Sequence, residues 1–298
     1  MGNLIYRGAG FVSRELAAGG VMADIFSGKW VLITGASMGL GAEFAKQLAA
    51  KKANLILTAR SREKLEELAG SLSKQYGVQT KVIALDLGAP GGAEKLCREV
   101  DALGIEVEHL VSNAGYGDLT EFIACDPAWE AGMVRLNCEA LVSLSRHFLP
   151  GMVKRGRGGV IHLASVAGFQ PAPYMSTYAA TKAFVLNFSA ALSEEVRSSG
   201  VRVMALCPGP VPTGFQKAAG IALQSADRLA VLSAEETVRR GLKAYESRWD
   251  VKVPGLANFL GTLGVKFAPR WFVVRALSRL MGESLEASRR AGVARRAA

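Results

Sequence analysis

Few residues of this sequence are of the kinds that build metal sites or disulfide frameworks. Its 298 residues include only four cysteines and three histidines. Consecutive cysteines lie 28, 13 and 69 residues apart and none forms a C-x-x-C pair, so the spacing indicates neither a zinc site nor a disulfide framework. We therefore expect no metal, and we expect a reducing, cytoplasmic compartment.

Long apolar runs are also absent. The longest uncharged segment, residues 158–181, contains a histidine, a glutamine and two prolines, which make it too polar and too broken to cross a bilayer as a helix. Residues 1–27 carry four charged side chains and lack the apolar core of a secretory signal. We expect neither a transmembrane helix nor export, and either Met1 or Met22 could be the true start.

The composition is that of an ordinary globular protein. Half of the residues are hydrophobic and 21% are charged, which excludes a disordered or low-complexity chain. The formal net charge is +10, and residues 251–298 alone hold nine basic and two acidic side chains. These basic residues lie outside any recognised nucleic-acid motif, so we expect no nucleic-acid binding.

Four apolar residues recur at helical spacing among the arginines of this basic tail. They are Phe267, Trp271, Val274 and Leu277. One interpretation is an amphipathic helix on an anionic membrane, which would make the protein peripherally membrane-associated. The other is that the apolar stripe packs on the protein's own core or on a partner subunit, and both stay open.

Runs rich in valine, isoleucine and leucine alternate with longer amphipathic segments from Trp30 onward. The runs lack two-residue alternation, which is typical of parallel strands buried on both faces. Six such strands predict an α/β fold, a Rossmann-like doubly wound parallel sheet in a single domain. We place this domain at residues 29–250, with helical extensions at 1–28 and 251–298. The expected strands are Trp30–Thr34, Asn54–Ala59, Lys81–Leu85, His109–Ser112, Gly159–Leu163 and Val201–Leu206.

A glycine-rich segment, Thr34 to Gly41, follows the first strand and opens into a helix. Glycines let the backbone approach a diphosphate closely, and a helix N-terminus offers free N–H groups and partial positive charge. The segment therefore favours a dinucleotide site, although an ordinary glycine-rich turn would read the same way. Its candidate cofactor contacts are Gly35, Ser37, Met38, Gly39, Leu40 and Gly41.

The end of the second strand favours NADP over NAD. In dinucleotide folds an acidic residue there binds the ribose 2′-hydroxyl, whereas a basic residue accepts a 2′-phosphate. Here Arg60 and Ser61 occupy that place and no carboxylate is present up to Arg62. A solvent-exposed loop arginine is the alternative. Asp86 and Leu87, just past the third strand, are placed to meet the adenine.

Tyr178 and Lys182 stand four residues apart on a predicted helix, which puts a phenol and an ammonium on one face. A tyrosine with a pKa of about 10 is a poor acid–base catalyst near neutral pH unless a neighbouring cation stabilises its phenolate. We expect Lys182 to supply that cation. The pair alone would arise often by chance.

Taken together, these segments resemble the short-chain dehydrogenase/reductase family of the compact NAD(P)-binding type. The motifs run in order from Trp30 to Thr213, with the strongest likeness to hydroxysteroid dehydrogenases and long-chain 3-ketoacyl reductases. The resemblance implies a catalytic set of Asn137, Ser165, Tyr178 and Lys182. It adds further cofactor contacts at Asn113, Ala114, Gly115, Tyr178, Lys182, Pro208, Gly209, Val211 and Thr213. In that set, Tyr178 exchanges a proton with the substrate oxygen, Ser165 holds that oxygen, and Asn137 holds a water that links Lys182 to solvent.

The resemblance implies an NADP-dependent oxidoreductase acting on a carbonyl or secondary alcohol. The residues near the predicted catalytic groups are apolar, which favours a steroid-like or fatty-acyl-like substrate. We expect substrate contacts from Ser165, Tyr116, Phe169, Tyr174 and Phe215. The alternative is a catalytically silent dinucleotide-binding regulator or scaffold of the same fold. The resemblance also implies a homodimer or homotetramer.

Overall fold

The computed structural model describes residues 24–215, 219 and 231–290. The predicted helical N-terminal extension, apart from its last residues, lies outside this range. So do most of the apolar segment after Phe215 and the last eight residues of the basic tail.

Seven parallel strands form one sheet in the described part of the chain, in the order β3-β2-β1-β4-β5-β6-β7. Helices flank the sheet, which confirms the predicted Rossmann-like α/β fold. The seventh strand was not predicted, because two residues carry too little pattern to detect. The strands are β1 Trp30–Thr34, β2 Asn54–Ala59, β3 Thr80–Ala84, β4 Val107–Ser112, β5 Gly159–Leu163, β6 Arg202–Leu206 and β7 Val251–Lys252.

The α-helices connect these strands and extend the chain beyond β7. They are α1 Gly39–Ala50, α2 Arg62–Tyr76, α3 Gly92–Ala102, α4 Pro127–Val134, α5 Ala140–Arg155, α6 Ser176–Glu195, α7 Ala234–Glu246, α8 Leu256–Phe267 and α9 Arg270–Arg290. Two helix ends illustrate local capping: Asp126 accepts from the Ala128 N–H at the start of α4, and Gly77 ends α2 with a φ of 70°. A π-helical segment, Arg135–Glu139, separates α4 from α5.

The core consists of two apolar layers, one on each face of the sheet. On one face Ile33 packs in a cluster with residues of α1, α2 and α7; on the other, Leu32 packs with residues of α3 and α5. Every residue of β4 and β5 is buried. Since the strand order turns back between β1 and β4, the topology places a ligand crevice beyond the carboxyl ends of these two strands.

The basic tail forms two helices rather than one. Phe267 ends α8, and α9 begins at Arg270 after Pro269, so the expected single stripe is broken by the proline. Phe267 and Trp271 are exposed, whereas Val274 and Leu277 are partly buried against the protein. Part of the apolar stripe thus packs on the protein itself, whereas contact of the exposed part with a membrane stays a prediction.

Two buried histidines make the fold sensitive to acid. The His109 Nδ1 lies 2.9 Å from the Tyr245 hydroxyl, and His162 sits between the hydroxyls of Ser145 and Ser189. Burial lowers the pKa of His109 to about 4 and that of His162 to about 3. As the pH falls, the two histidines are therefore protonated in the unfolded chain before they are protonated in the folded protein. Their contribution to the free energy of unfolding is fully present above pH 6.5 and is lost as the pH falls below that value.

We expect the free energy of unfolding to drop by about 2 kcal/mol per buried histidine between pH 7.5 and pH 5. Urea unfolding at the two pH values measures this drop. His109→Asn, which keeps a polar group beside Tyr245, should reduce the drop, whereas replacing the non-buried His147 by Gln should not. Equal stabilities of the unmodified protein at both pH values would contradict the prediction.

Candidate active site

A cavity of about 980 Å³ lies beyond the carboxyl ends of β1, β4, β5 and β6. Its lining runs from Gly35 to Ser284. Most of these residues come together because parallel strands all end at the same edge of the sheet. Among the predicted site residues, those that line it are Gly35, Ser37, Met38, Gly39, Leu40, Arg60, Ser61, Asp86, Leu87, Asn113, Ala114, Gly115, Tyr116, Ser165, Tyr178, Lys182, Pro208, Gly209, Val211, Thr213 and Phe215.

The glycine-rich turn after β1 is shaped by close backbone approach. Gly35 and Gly39 have φ values of 66° and 57°, a region that favours glycine. A Cβ on Gly41 would lie 2.2 Å from the Gly35 carbonyl oxygen. The Asn113 amide donates to the carbonyl oxygens of Thr34 at 2.9 Å and Gly35 at 3.2 Å. Gly41 thus packs directly against the backbone of the turn, where a side chain would not fit, and it does not line the cavity.

This turn suits a diphosphate. Helix α1 begins at Gly39, and its N-cap residue, Met38, makes no side-chain capping hydrogen bond. The first-turn N–H groups and the positive end of the helix dipole therefore face the cavity, where an anion would satisfy them. The residues present fit the phosphates of a nicotinamide dinucleotide.

Charged side chains surround the place predicted for the adenosine end. Arg60 and Lys64 line the cavity there, and so does Glu63, whose carboxylate accepts a hydrogen bond from the Ser61 hydroxyl at 3.3 Å. Asp86 accepts from the Gly88 N–H at 2.8 Å, which fixes the turn after β3. The sequence prediction overlooked Lys64, which lies in the first turn of α2.

Ser165 and Tyr178 meet at the centre of the cavity. Ser165 follows β5, and its hydroxyl accepts from the Ala167 N–H at 3.1 Å. Tyr178 lies in the first turn of α6, is buried, and shares a hydrogen bond with Ser165. A Cβ on Gly117 would lie 2.6 Å from the Tyr178 ring, so the absence of a side chain there makes room for the phenol.

Lys182 lies one helical turn beyond Tyr178 and is also buried. Its Nζ donates to the Leu163 carbonyl oxygen at 2.7 Å and sits 5.7 Å from the centre of the Tyr178 ring. Burial lowers the pKa of Lys182 to about 8. Its ammonium group is thus held at the end of β5, beside the tyrosine.

The expected lowering of the tyrosine pKa is reversed in this structure. Burial raises the pKa of Tyr178 to about 12, and the hydrogen bond from Ser165 offsets this only in part. Desolvation dominates because the phenol is enclosed by apolar groups. At neutral pH Tyr178 is therefore a protonated donor, the form that delivers a proton to a carbonyl oxygen.

Asn137 lies behind the catalytic groups rather than in the cavity wall. Its Nδ2 donates to the Tyr116 carbonyl oxygen at 2.9 Å and to the Thr181 hydroxyl at 3.0 Å, while its Oδ1 accepts from the Tyr116 N–H. Asn137 is the buried residue of the π-helical segment, an element that is frequent at functional sites. A Cβ on Gly115 would lie 2.9 Å from the Asn137 Oδ1 and 3.5 Å from the Lys182 Nζ, so the two side chains lie on either side of Gly115. The water link between Asn137 and Lys182 stays a prediction.

Two of the expected substrate contacts lie outside the cavity wall. Phe169 packs in an apolar cluster with Phe259 of α8, and Tyr174 packs against α9 beside Gly282. The wall includes Met175, which was expected there, and residues that the sequence prediction did not assign: Leu119, Trp129, Gly132, Leu136, Ala172, Leu277, Leu280, Met281 and Ser284. The last four belong to α9, and only Leu277 was marked beforehand, as part of the tail stripe.

A sequence model of the short chain dehydrogenase family matches residues 29–224. The chain belongs to the short-chain dehydrogenase family. Members of this family are nicotinamide-dependent oxidoreductases that act on hydroxyl and keto groups. The matched segment covers the sheet through β6, the glycine-rich turn and all four predicted catalytic residues.

Two solved structures and one curated relative place this short-chain dehydrogenase more closely. The chain is 32% identical to a short-chain dehydrogenase from Sphingobium yanoikuyae in complex with NADPH, with a TM-score of 0.72 over 80% of this chain and 93% of that one. The chain is also 25% identical to a 7beta-hydroxysteroid dehydrogenase structure, with a TM-score of 0.76 over 87% of this chain and 99% of that one. A very-long-chain 3-oxoacyl-CoA reductase of Anas platyrhynchos is 36% identical over 64% of this chain, which spans 62% of the relative's length.

Proposed function

We propose that this chain is an NADP-dependent oxidoreductase that transfers a hydride between nicotinamide and a carbonyl or secondary alcohol of an apolar substrate. A fatty-acyl ketone is the favoured substrate class, and a steroid ketone is the next. The observation that carries the proposal is one continuous cavity with a charged nucleotide end, the Ser165–Tyr178 pair at its centre and an apolar far end. The likeness to a very-long-chain 3-oxoacyl-CoA reductase supports the fatty-acyl class.

The chemistry follows from the positions of three side chains. Ser165 holds the substrate oxygen by a hydrogen bond, and Tyr178, protonated at neutral pH, donates its proton to that oxygen during reduction. Lys182 would grip the nicotinamide ribose and bring positive charge near the phenolate that forms. The bound cofactor supplies or accepts the hydride itself. In the oxidative direction Tyr178 takes the proton back.

Among the described residues, no charged side chain lines the substrate end of the cavity, where it could bind a charged substrate group. Within the described residues, the charged side chains that line the cavity are Arg60, Glu63, Lys64, Asp86 and Lys182, which lie at the nucleotide end or beside Tyr178. Beyond Tyr178 the wall is formed by leucine, methionine and aromatic residues, with Gln170 and Ser284 as its polar members. Such a wall suits an alkyl chain better than a carboxylate.

A ketone panel tests the proposed function. We expect NADPH-dependent reduction of 3-oxoacyl thioesters, with a kcat/KM that rises with chain length, as measured by nicotinamide absorbance. Steroid ketones in the same panel separate the two substrate classes. Loss of NADPH oxidation with every ketone, together with measurable NADPH binding, would instead favour the silent regulator.

Contact with a membrane is proposed as well. No described helix is both long and apolar enough to cross a bilayer. The exposed residues at the junction of the last two helices nonetheless combine aromatic and basic groups, and residues 251–282 contain five basic and no acidic side chains. We call this patch the α8–α9 surface; it consists of Lys266, Phe267, Arg270, Trp271, Phe272, Arg275 and Arg279. It matches an anionic lipid surface in charge and in apolar content.

We expect the chain to co-sediment with phosphatidylcholine vesicles that contain phosphatidylglycerol at low salt, and to be released by high salt. Trp271→Ser/Phe272→Ser should lower the bound fraction several-fold. Arg98→Gln/Leu103→Ser, which changes an exposed basic and an exposed apolar residue at α3, is the matched control. Equal fractions of the two double variants sedimenting with the vesicles would contradict the proposed membrane contact.

The homodimer or homotetramer and the cytoplasmic location stay predictions. All four cysteines lie in the described part of the chain and are unpaired.

A further inference from the structure

Helix α9 has a face that belongs to the substrate cavity. Leu277, Leu280, Met281 and Ser284 line the cavity, at the spacing of one helical face. Leu285, one residue further, is buried in the same apolar cluster as Tyr178. The wall beside the catalytic tyrosine is therefore built from a helix that follows the sheet and the family-matched segment.

The same helix carries part of the α8–α9 surface at its other end. Trp271 is 63% exposed and Phe272 is 54% exposed, and the Arg275 guanidinium lies 5.6 Å from the centre of the Trp271 ring. Eight residues separate Phe272 from Leu280, a rise of about 12 Å along the helix. The α8–α9 surface and the cavity wall are thus neighbours on one helix.

Leu280 connects the two regions. It lines the cavity and yet is 45% exposed, so it stands where the cavity meets the surface. The C-terminal part of α9 is held across the cavity by the burial of Leu285 and by an ion pair between Arg289 and Glu121, at 3.4 Å. The N-terminal part, with Trp271 and Phe272, is exposed. The apolar path from surface to catalytic centre therefore begins beside the α8–α9 surface.

We propose that α9 forms a portal through which a long-chain substrate passes directly from an anionic bilayer into the cavity. The inference rests on the proposed function and adds a route of entry to it. Moving an alkyl chain from a bilayer into water costs about 0.8 kcal/mol per CH₂ group, so passage along apolar side chains avoids a barrier that grows with chain length. A short, water-soluble ketone has no need of this route.

The test compares two substrates of one reaction in the presence of defined vesicles. The full chain reduces a short, water-soluble 3-oxoacyl thioester and a long-chain one, with NADPH, in three settings: no vesicles, phosphatidylcholine vesicles, and phosphatidylcholine vesicles with 30% phosphatidylglycerol. We expect the anionic vesicles to raise kcat/KM for the long-chain substrate about tenfold, and to leave the short one unchanged.

Trp271→Ser/Phe272→Ser should abolish this stimulation and leave the rate with the short substrate intact, whereas Arg98→Gln/Leu103→Ser should behave like the unmodified chain. The portal is overturned if anionic vesicles stimulate both substrates equally, if they stimulate neither, or if the Trp271/Phe272 variant keeps the stimulation. It is also overturned if that variant changes the oligomeric state in gel filtration, since the surface would then bind a second copy. Failure to reduce the short substrate in any setting would count against the proposed function instead.

Discussion

Replacing Tyr178 by Phe should lower kcat roughly a thousandfold, because general acid catalysis by a positioned side chain contributes on that scale. The ring remains to fill the space beside Gly117 and Phe215, so the cavity keeps its shape. NADPH binding should persist, since its phosphate contacts lie at the α1 N-terminus. Stopped-flow absorbance measures turnover, and NADPH fluorescence measures binding.

The matched control is Tyr245→Phe, which also removes a buried tyrosine hydroxyl. That hydroxyl lies 2.9 Å from the His109 Nδ1, away from the cavity lining. The control should lose stability, by about 1 kcal/mol, and keep its kcat. A Tyr178→Phe enzyme with full activity would refute the assigned mechanism.

Replacing Arg60 by Ala should raise KM for NADPH by roughly 10- to 100-fold and change KM for NADH little. A charge-assisted hydrogen bond to a phosphate is worth about 1.5–3 kcal/mol, which sets this range. Lys64, which lines the same end of the cavity, would keep part of the attraction. Initial rates with each cofactor at a fixed ketone concentration provide the measurement.

Arg62→Ala is the control for Arg60→Ala. Arg62 begins α2, pairs with Glu66 at 3.4 Å and does not line the cavity. Its loss should leave the preference between the two cofactors unchanged. If Arg60→Ala raises KM for NADPH and KM for NADH by equal factors, Arg60 does not bind the 2′-phosphate and the assignment of NADP is wrong.

Most of the sheet could be predicted from the sequence because parallel strands are continuous apolar runs. β1, β2 and β5 have the predicted bounds, and β3, β4 and β6 differ from prediction by one or two residues. The two-residue strand β7 and the π-helical segment could not be predicted, since their geometry comes from neighbouring elements and not from local periodicity. Asn137 lies in that π-helical segment and contacts Tyr116 and Thr181.

The cavity lining at the proposed nucleotide end could be predicted for a similar reason. Its residues belong to short segments at strand ends, where glycines and one helix N-terminus impose the geometry locally. The substrate end was predictable only in part. Phe169 and Tyr174 stand near the catalytic groups in sequence, but the turn after β5 and the loop before α6 direct them elsewhere, against α8 and α9.

The fold class, the family resemblance and the identities of the candidate catalytic residues could be predicted from the sequence, because each depends on local pattern and spacing. Two other points depend on long-range packing and became visible only in the folded protein. Burial, not the neighbouring lysine, sets the direction of the Tyr178 pKa, since desolvation depends on how many groups enclose the phenol. The basic tail forms both cavity wall and exposed surface, because Pro269 divides it into two helices and long-range packing buries one face of α9 beside Tyr178.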